Sequence, residues 1–263
     1  MKSLRWIALW PAALVLAAAV TQPAFARERE TVNQVYETGA SPRLSLSNIN
    51  GDVTVDGWDK NQIEVTALKT AASKDDLDDI EIRTRKDGDH LRIDVKLKHQ
   101  DGWSYRGESP SVDFTIHVPR GTEVDQVELV NGDVELTNIA GDVEASSVNG
   151  RVAGEKLGGD VNLSAVNGDI SLVATGGPTS IRMNSVNGEV TLVLPKKFDA
   201  RIEAGTLHGD ITAIDGLDVD ATSFTGSSMK GTIGKGTMKV DLNTVNGSIA
   251  IRREGEGGAR DKE

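Results

Sequence analysis

The feature that most constrains this chain is a glycine turn that recurs every nine residues from residue 132 to 177 and at wider intervals afterwards. The segment VNGDVELTNIAGDVEASSVNG at residues 130–150 contains three of these turns. A period this short is typical of repeat proteins, in which each unit buries its apolar face against the next. The turn glycines are Gly132, Gly141, Gly150, Gly159, Gly168, Gly177, Gly188, Gly209 and Gly247.

Short strands are predicted between the turns, because apolar and polar residues alternate there, as in ISL at residues 170–172. Asn-Gly is a strong signal for a short turn, because both residues tolerate positive φ. We interpret the Asn-Gly pairs as structural turns of the repeat. They are Asn50 and Gly51, Asn131 and Gly132, Asn149 and Gly150, Asn167 and Gly168, Asn187 and Gly188, and Asn246 and Gly247.

Two architectures fit this pattern: an antiparallel meander that turns every nine residues, or a solenoid with two strands and two turns in each coil. Asparagine precedes the glycine only at alternate turns between residues 132 and 188, so the repeat spans two turns, or about 18–20 residues. A meander of this length would also leave its apolar face uncovered. The sequence therefore favours an all-β protein with a parallel β-helix (β-solenoid), right-handed by the crossover rule.

Stacked coils predict columns of equivalent residues. An internal column after the Asn-Gly turn is expected from Val134, Val152, Ile170, Val190 and Ile211. A second column just before the turn is expected from Val130, Val148, Val166, Val186 and Leu207, and an opposite wall from Val143, Val161 and Ile181. The asparagines at the turns are expected to stack as an amide ladder. Arg151 would lie between Asp133 and Asp169 and relieve their repulsion.

The rest of the chain suggests one extended domain over residues 27–253, irregular to about residue 126 and regular over 127–253. The first half contains further alternating strands, and its INGDV at residues 49–53 belongs to the repeat, so we expect this half to cover the first coil. Ser73 is expected to cap a single helical turn. The polar, Gly-rich tail at residues 254–263 is predicted to be disordered.

Residues 1–26 are predicted to be a secretory signal peptide. Lys2 and Arg5 precede about 15 apolar residues, and PAFA at residues 23–26 supplies a cleavage site. This stretch is shorter than the roughly 20 residues of a membrane-spanning helix, so we predict no transmembrane anchor in the mature chain. The prediction places the protein in the periplasm or outside the cell. No cysteine is present, so backbone pairing and an apolar core must hold the fold.

The charge of the mature chain limits its partners. Without Lys2 and Arg5, 27 of the 29 basic side chains remain against 40 acidic ones, which gives a net charge of −13. Such a surface repels phosphate backbones and anionic headgroups, which argues against nucleic acid and against direct binding to a membrane surface.

Three segments together resemble the toast-rack family of adhesin-like proteins, a family of unknown function. They are LSLSNINGDVTVDG at residues 44–57, SKDDLDDIEIRTRKDGDHLRIDV at 73–95 and VDFTIHVPRGTEVDQVELVNGDVEL at 112–136. The resemblance extends over roughly residues 35–253. It implies a right-handed β-solenoid outside the cytoplasm, with an adhesin-like or envelope stress-signalling role and no established catalytic residues. Some relatives carry membrane helices beside the repeats, and this chain does not.

A carbohydrate-active β-helix enzyme, a lyase or hydrolase, is the alternative. Paired carboxylates could come from the acids after the turns, Asp133, Asp142, Asp160, Asp169, Glu189 and Asp210. These acids recur at one place in the repeat, however, as a turn preference predicts, whereas a catalytic pair would break the pattern. We therefore predict no catalytic residue.

Metal and cofactor sites are not predicted either. The repeat lacks the Gly and Asp density of a calcium-filled β-roll. The four histidines, His90, His99, His117 and His208, show no paired ligand spacing.

One segment departs from the repeat. HQDGWSYRGESP at residues 99–110 places Trp103, Tyr105 and Arg106 in a polar loop of an aromatic-poor chain. These residue types are enriched at binding hot spots, so this loop is our candidate partner site. Trp58 has the same two interpretations, packing or binding, with packing in the core favoured. The sequence thus predicts a non-enzymatic adhesin-like or envelope scaffold module whose partner is an unidentified envelope protein or polysaccharide. Self-association is open, because the end coils have strand edges that are able to pair between molecules.

Overall fold

The structure is a computed structural model that describes residues 27–98, 109–175, 177–214, 219–222 and 226–255. The predicted signal peptide and residues 256–263 of the predicted disordered tail lie outside this range. The first strands are β1 (Glu28–Glu37), β2 (Arg43–Asn50), β3 (Val53–Trp58) and β4 (Gln62–Ala71). They are followed by α1 (Lys74–Asp78), β5 (Ile80–Asp87), β6 (His90–Leu97) and β7 (Ser111–Pro119).

The regular part begins at β8 (Glu123–Asn131) and β9 (Val134–Thr137). Three further pairs follow: β10 (Val143–Asn149) and β11 (Val152–Glu155), β12 (Gly158–Asn167) and β13 (Ile170–Val173), and β14 (Gly177–Asn187) and β15 (Val190–Leu194). The C-terminal strands are β16 (Ala200–His208), β17 (Ile211–Thr212), β18 (Val219–Thr222), β19 (Gly226–Ile233), β20 (Met238–Asn246) and β21 (Ile249–Arg253).

These strands form two sheets that enclose one core. Sheet A has ten strands in the order β1-β4-β7-β3-β9-β11-β13-β15-β21-β17, and sheet B has eleven in the order β18-β19-β16-β20-β14-β12-β10-β8-β2-β6-β5. Each regular coil consists of a strand in sheet B, the Asn-Gly turn and a short strand in sheet A. Neighbouring coils pair in parallel, for example β10 with β12 and β11 with β13. The predicted all-β solenoid with a two-strand coil is confirmed, and the antiparallel meander is excluded.

The internal column after the turn is present, with one change in its order. Val134, Val152, Ile170 and Val190 are successive partners in sheet A and are buried. The next partner of Val190 is Ile249, and Ile211 pairs with Ile249. The expectation that Ile211 follows Val190 directly is therefore wrong. In the opposite wall, Val143, Val161 and Ile181 pair in sequence, as predicted.

The chain order and the spatial order separate at the C-terminal end. After β15 the chain does not form the adjacent coil. It forms β16 and β17 one coil further along the stack, and β19 pairs with β16 in the antiparallel direction. The chain then returns as β20 and β21, which pair with β14 and β15 on one side and with β16 and β17 on the other. The last coil in sequence thus fills the gap that the preceding coil leaves.

The second predicted column does stack just before the turns, with Val245 between Val186 and Leu207, but it lies on the outer face of sheet B. Val130, Val148, Val166, Val186 and Leu207 point outward and are 40–50% exposed. The inward position is taken by the residue before each of them, for example Ser147 before Val148. The apolar residue in front of each turn therefore belongs to the outer surface of sheet B.

The N-terminal half closes the other end of the solenoid. Strand β2 pairs with β8 and β3 pairs with β9, so the first INGDV joins the regular coils directly. Antiparallel strands β4 and β1 extend sheet A beyond β7, and β5 extends sheet B beyond β6. The Ser73 hydroxyl accepts the backbone N–H of Asp76 at 3.2 Å and caps α1, as predicted.

Candidate functional site

The Asn-Gly turns of successive coils form one continuous edge. Each turn asparagine ends a strand of sheet B, and its Nδ2 donates to the Oδ1 of the asparagine in the preceding coil. The distances are 2.8 Å from Asn131 to Asn50, 2.8 Å from Asn149 to Asn131, 2.9 Å from Asn167 to Asn149, 2.8 Å from Asn187 to Asn167 and 2.8 Å from Asn246 to Asn187. His208 pairs with Asn246 in the sheet and occupies the outermost position of this row.

The turn glycines are required by the contact between coils. A Cβ added to Gly150 would lie 1.9 Å from the carbonyl oxygen of Gly132, and one on Gly168 would lie 1.9 Å from that of Gly150. Positive φ is not the common reason, because Gly168 and Gly188 do not have it and neither do the turn asparagines. The explanation of Asn-Gly from positive φ is therefore wrong for the asparagines and for three of the six glycines, Gly168, Gly188 and Gly247. Glycine allows the backbones to stack, and asparagine supplies the amide ladder.

The acids after the turns hold neighbouring coils together. The backbone N–H of residue 133 donates to Asp52 Oδ1 at 2.9 Å, that of Arg151 to Asp133 Oδ1 at 2.7 Å, and that of Glu189 to Asp169 Oδ1 at 2.7 Å. At the opposite turns the N–H of Asp160 donates to Asp142 Oδ1 at 2.8 Å. The Arg151 side chain also lies 3.9 Å from Asp133. In each of these coils, one carboxylate oxygen of the acid after the turn accepts a backbone N–H of the next coil. This contact explains why an acid recurs directly after the turn glycine.

Asp160 makes two further bonds at these opposite turns. It accepts the hydroxyls of Thr179 and Ser180, the latter at 2.9 Å. These two hydrogen bonds, Thr179 first, lower the pKa of the Asp160 carboxyl. Its carboxylate form is therefore the form that the neighbouring coil recognises.

A row of buried hydroxyls completes the edge and was missed in the sequence. Ser147 donates to Gly132 O at 2.9 Å, Ser185 to Gly168 O at 3.2 Å and Thr244 to Gly188 O at 3.1 Å. Thr206 makes the equivalent bond at the end coil. The signal is a Ser or Thr two residues before the Asn or His of the turn, in SVNG, TVNG and TLHG. These hydroxyls satisfy the carbonyls of the stacked glycines.

A second cluster lies on the outer face of sheet B near the N-terminal end. Ser45 Oγ is 2.8 Å from His90 Nε2, and Asp125 Oδ2 lies 3.4 Å from Ser45 Oγ and 4.0 Å from the same ring nitrogen. Arg43 contacts Glu123 at 3.3 Å and Asp125 at 3.2 Å. In a Ser-His-Asp triad the acid holds the other ring nitrogen, Nδ1. This arrangement is therefore a polar surface cluster and not a nucleophile with its base.

The cluster borders an open groove of about 290 Å³, lined in part by Ser45, Ser47, Arg92, Asp94, Asp125 and Glu128. Charges of both signs share it, and Asp94 and Glu128 lie on either side of Ser47 in the sheet. The groove is thus a polar recess where the irregular half meets the regular coils.

Trp58 is not a core residue, contrary to expectation. It ends β3 on the outer face of sheet A, where it is partly exposed and its ring stacks on His117 with centroids 5.0 Å apart. Its Nε1 donates to Gln62 O at 2.9 Å, and the Lys60 ammonium lies 4.1 Å from the ring centroid. Trp58 thus anchors a surface patch and not the interior.

Asp56 lies beside this patch. The hydrogen bond from Thr137 is the main cause that lowers the pKa of Asp56, which burial opposes; Asn138 and the nearby His117 also lower it. The carboxylate is 3.8 Å from His117 Nδ1.

The loop that carries Trp103, Tyr105 and Arg106 lies outside the described residues. Its flanks are β6 and β7, and Asn50 Nδ2 donates to Pro110 O at 3.0 Å at the start of the amide ladder. His99 also lies outside the described part. The assignment of this loop as the partner site stays a prediction.

The described residues contain neither a metal-binding cluster nor a membrane-spanning helix. No group of three or more His, Asp or Glu side chains within them is arranged to hold a metal ion. No helix in the same ranges is long and apolar enough to cross a membrane.

Stacked two-strand coils joined by an amide ladder define this molecule as a β-solenoid. The Toastrack DUF4097 family model matches residues 123–252, and this part of the chain belongs to that family. The family recognised from the sequence is thus confirmed.

One solved structure shares the fold, and a second is similar at a lower score. The crystal structure of a candidate cell adhesion protein from Clostridium sporogenes is 14% identical, with a TM-score of 0.54 over 86% of this chain and 100% of that one. A candidate adhesin from Bacteroides fragilis is 12% identical, with a TM-score of 0.43 over 84% of this chain and 97% of that one. No curated protein sequence matches this chain.

Proposed function

We propose that this protein is an exported, non-enzymatic module of the cell envelope, in which a rigid, elongated solenoid carries the predicted binding loop at residues 99–110 for a protein or polysaccharide partner. The observation that carries this proposal is the use of the turn acids. Asp52, Asp133 and Asp169 each give a carboxylate oxygen to the backbone N–H of the neighbouring coil. Their recurrence therefore serves the stacking of coils and does not require a reaction.

A glycosidase needs two carboxyl groups facing one bond, roughly 5–10 Å apart, with one of them raised in pKa so that it can donate a proton. Asp133 and Asp169 instead each accept the backbone N–H of the neighbouring coil. Asp160 has a lowered pKa because of its bonds to Thr179 and Ser180. The Ser45, His90 and Asp125 cluster lacks the geometry of a nucleophilic triad. Both groups of residues fit a binding surface better than a reaction centre.

A rigid solenoid suits adhesion for an energetic reason. Binding is weakened by the ordering of mobile side chains and loops, so a surface fixed by inter-coil hydrogen bonds loses less free energy on association. The candidate adhesion protein from Clostridium sporogenes shares this fold, which supports the same general role.

Site-specific photocrosslinking in living cells tests the proposal. A photoreactive residue would replace Trp103 in the predicted binding loop or Ser171 on the outer face of sheet A, and adducts would be identified by mass spectrometry. We expect a discrete envelope protein or glycan adduct at position 103 and none at 171. A folded, exported protein without an adduct at either position would contradict the proposal, and turnover of an envelope polysaccharide by the purified chain would replace it with the enzyme.

Export is tested in the same cells. We expect the N-terminal residue of the purified protein to be Arg27, because the predicted signal peptide ends at Ala26. An uncleaved N-terminus with the protein retained in the cytoplasm would contradict an envelope function.

A further inference from the structure

The outer face of sheet B carries an exposed apolar row, here called the valine row. It consists of Val130, Val148, Val166, Val186, Val245 and Leu207, in the order of the strands. Their exposed fractions are 39–50%. Six strands at the usual spacing of about 4.8 Å give a row about 24 Å long. A continuous row of this kind, repeated in every regular coil, marks an interaction surface.

The rows on both sides of the valine row are uncharged through most of their length. Two residues earlier on the strands β10, β12, β14, β20 and β16 lie Ser146, Ser164, Asn184, Asn243 and Gly205. On the other side lies the amide ladder, with His208 at its end. On β8 the residue in this row is Glu128, and the other charged residues on this side lie one row further out, at Glu144, Arg182, Asp241 and Glu203. The valine row therefore runs down the middle of a strip that is uncharged from β10 to β16 and carries one carboxylate, Glu128, at its β8 end.

We propose that this strip is the interface of a weak homodimer, in which the valine rows of two copies interdigitate about a two-fold axis. The first argument is charge. The whole chain has a net charge of −11, so two copies repel each other unless they meet through an uncharged surface. The strip allows such a contact without placing carboxylates against each other.

The second argument is the period of the row. One branched side chain on each strand makes knobs and gaps that repeat at the strand spacing of about 4.8 Å. A surface fits all the gaps at once only if it has the same period, as in the interdigitated interfaces of stacked sheets. A second copy of this chain has that period by construction, and a two-fold axis makes the contact self-complementary.

The size of the strip predicts a weak association. Three rows of residues over six strands cover less than about 800 Å² on each partner, which places the total buried area at the low end of specific interfaces. We expect a dissociation constant in the range of about 10 μM to 1 mM, so that the dimer forms where the protein is concentrated. This proposal does not depend on the envelope partner proposed above.

Sedimentation equilibrium of the purified chain from residue 27 onward, loaded from about 10 μM to 1 mM, measures the dimer directly. The test variant is Val166→Glu in the valine row. The matched control is Val173→Glu, the same substitution in the same coil but on the outer face of sheet A. We expect dissociation to increase at least tenfold for Val166→Glu and to stay within twofold of the native value for Val173→Glu. A monomeric native chain at 1 mM, or equal effects of the two substitutions, would overturn the proposal.

Cysteine crosslinking tests the arrangement without a charge in the interface, because the native chain has no cysteine. With the axis near the middle of the row, position 166 of one copy meets 186 of the other, and 130 meets 207. We expect Val130→Cys and Leu207→Cys to form a mixed disulfide at least ten times faster than Val130→Cys forms one with itself. Faster self-pairing at 130, or no dependence on position, would rule out the two-fold interface.

Discussion

The central coils and the two ends of the solenoid use the same contacts at very different separations along the chain. In the centre, Asn149 and Asn167 bond to asparagines 18 residues earlier. At the C-terminal end the bond from Asn246 to Asn187 spans 59 residues, and at the N-terminal end the bond from Asn131 to Asn50 spans 81. The last two distances are both 2.8 Å. The ladder is therefore set by position in the stack and not by proximity in sequence.

This comparison shows that the coils repeat the same turn contacts, with the buried hydroxyl replaced by Leu129 in β8 and Ala165 in β12. An asparagine, a stacked glycine and a buried hydroxyl recur in β14 and β20, although the chain visits another coil between them. The coil of about 18 residues is thus the unit of stability. A single nine-residue segment, which has only one of the two strands, is not. The following predictions test that statement, beginning with the largest expected effect.

Two deletions test whether the unit of stability is the coil of about 18 residues or the nine-residue segment between turns. Removal of residues 151–159 and removal of residues 151–168 both leave an intact VNGD sequence at the junction. The shorter deletion puts a sheet B strand where sheet A needs one, so we expect loss of most of the roughly 5–15 kcal/mol stability of a domain. The longer one removes a whole coil and lets β10 pair with β14, so we expect a folded protein. Chemical denaturation followed by circular dichroism measures both, and equal stability of the two variants would contradict the coil as the unit.

Substitution of a turn glycine tests the close stacking of coils. In Gly168→Ala the new Cβ would lie 1.9 Å from Gly150 O at a glycine without positive φ, so the coils must separate locally. We expect a loss of about 1–3 kcal/mol in the free energy of unfolding, the usual range for overpacking. Gly205→Ala is the control, because its Cβ would meet only Asn243 Oδ1 at 3.6 Å. A similar loss in both variants would show that glycine at the turn is not required by stacking.

The amide ladder predicts a difference between its middle and its end. Asn149 donates to Asn131 and accepts from Asn167, whereas Asn246 donates to Asn187 and has His208 on its other side. Each exposed bond contributes about 0.5–1 kcal/mol. We therefore expect Asn149→Ala to cost about twice as much free energy as Asn246→Ala in urea denaturation. Equal costs would mean that the amides do not act as a ladder.

The smallest effect concerns pH at the irregular half. The folded state lowers the pKa of Asp56, mainly through the hydrogen bond from Thr137, so this carboxylate stabilises the fold above its unfolded pKa near 3.9. The contribution is lost as the pH falls through the lower folded pKa. We expect Asp56→Asn to reduce stability at pH 7 by less than about 1 kcal/mol, because the site is partly exposed. The difference from the native protein should decrease as the pH falls below about 3.9, and a difference that is constant with pH would contradict this assignment.

The sequence predicted the coil because asparagine occurs at every second turn, which only a two-strand repeat explains. It failed on which apolar residues lie inside. In SSVNG, Ser147 points inward and Val148 outward, because the buried hydroxyl satisfies the carbonyl of Gly132. Hydrophobicity alone assigns them the other way round. The exposed row followed from this reversal, so it could not be predicted from apolar pattern alone.

The spatial order of the last coils also could not be predicted from the sequence. Ile211 and Ile249 follow equivalent turns and fit the same column, so periodicity does not decide which lies next to Val190. Trp58 illustrates a different failure. Its neighbour Gly57 is buried, and the alternation of the strand therefore places the large aromatic ring outside, on His117.

The unequal chain separations along the ladder have a kinetic consequence. Joining two points 81 residues apart costs about 1 kcal/mol more in loop-closure entropy than joining points 18 apart. Contacts of short separation form first when stabilities are similar. The four coils between residues 123 and 194 are therefore expected to form the folding nucleus, and the two ends add to it later. The solenoid is therefore expected to fold from its central coils outward, and its two ends are expected to unfold first.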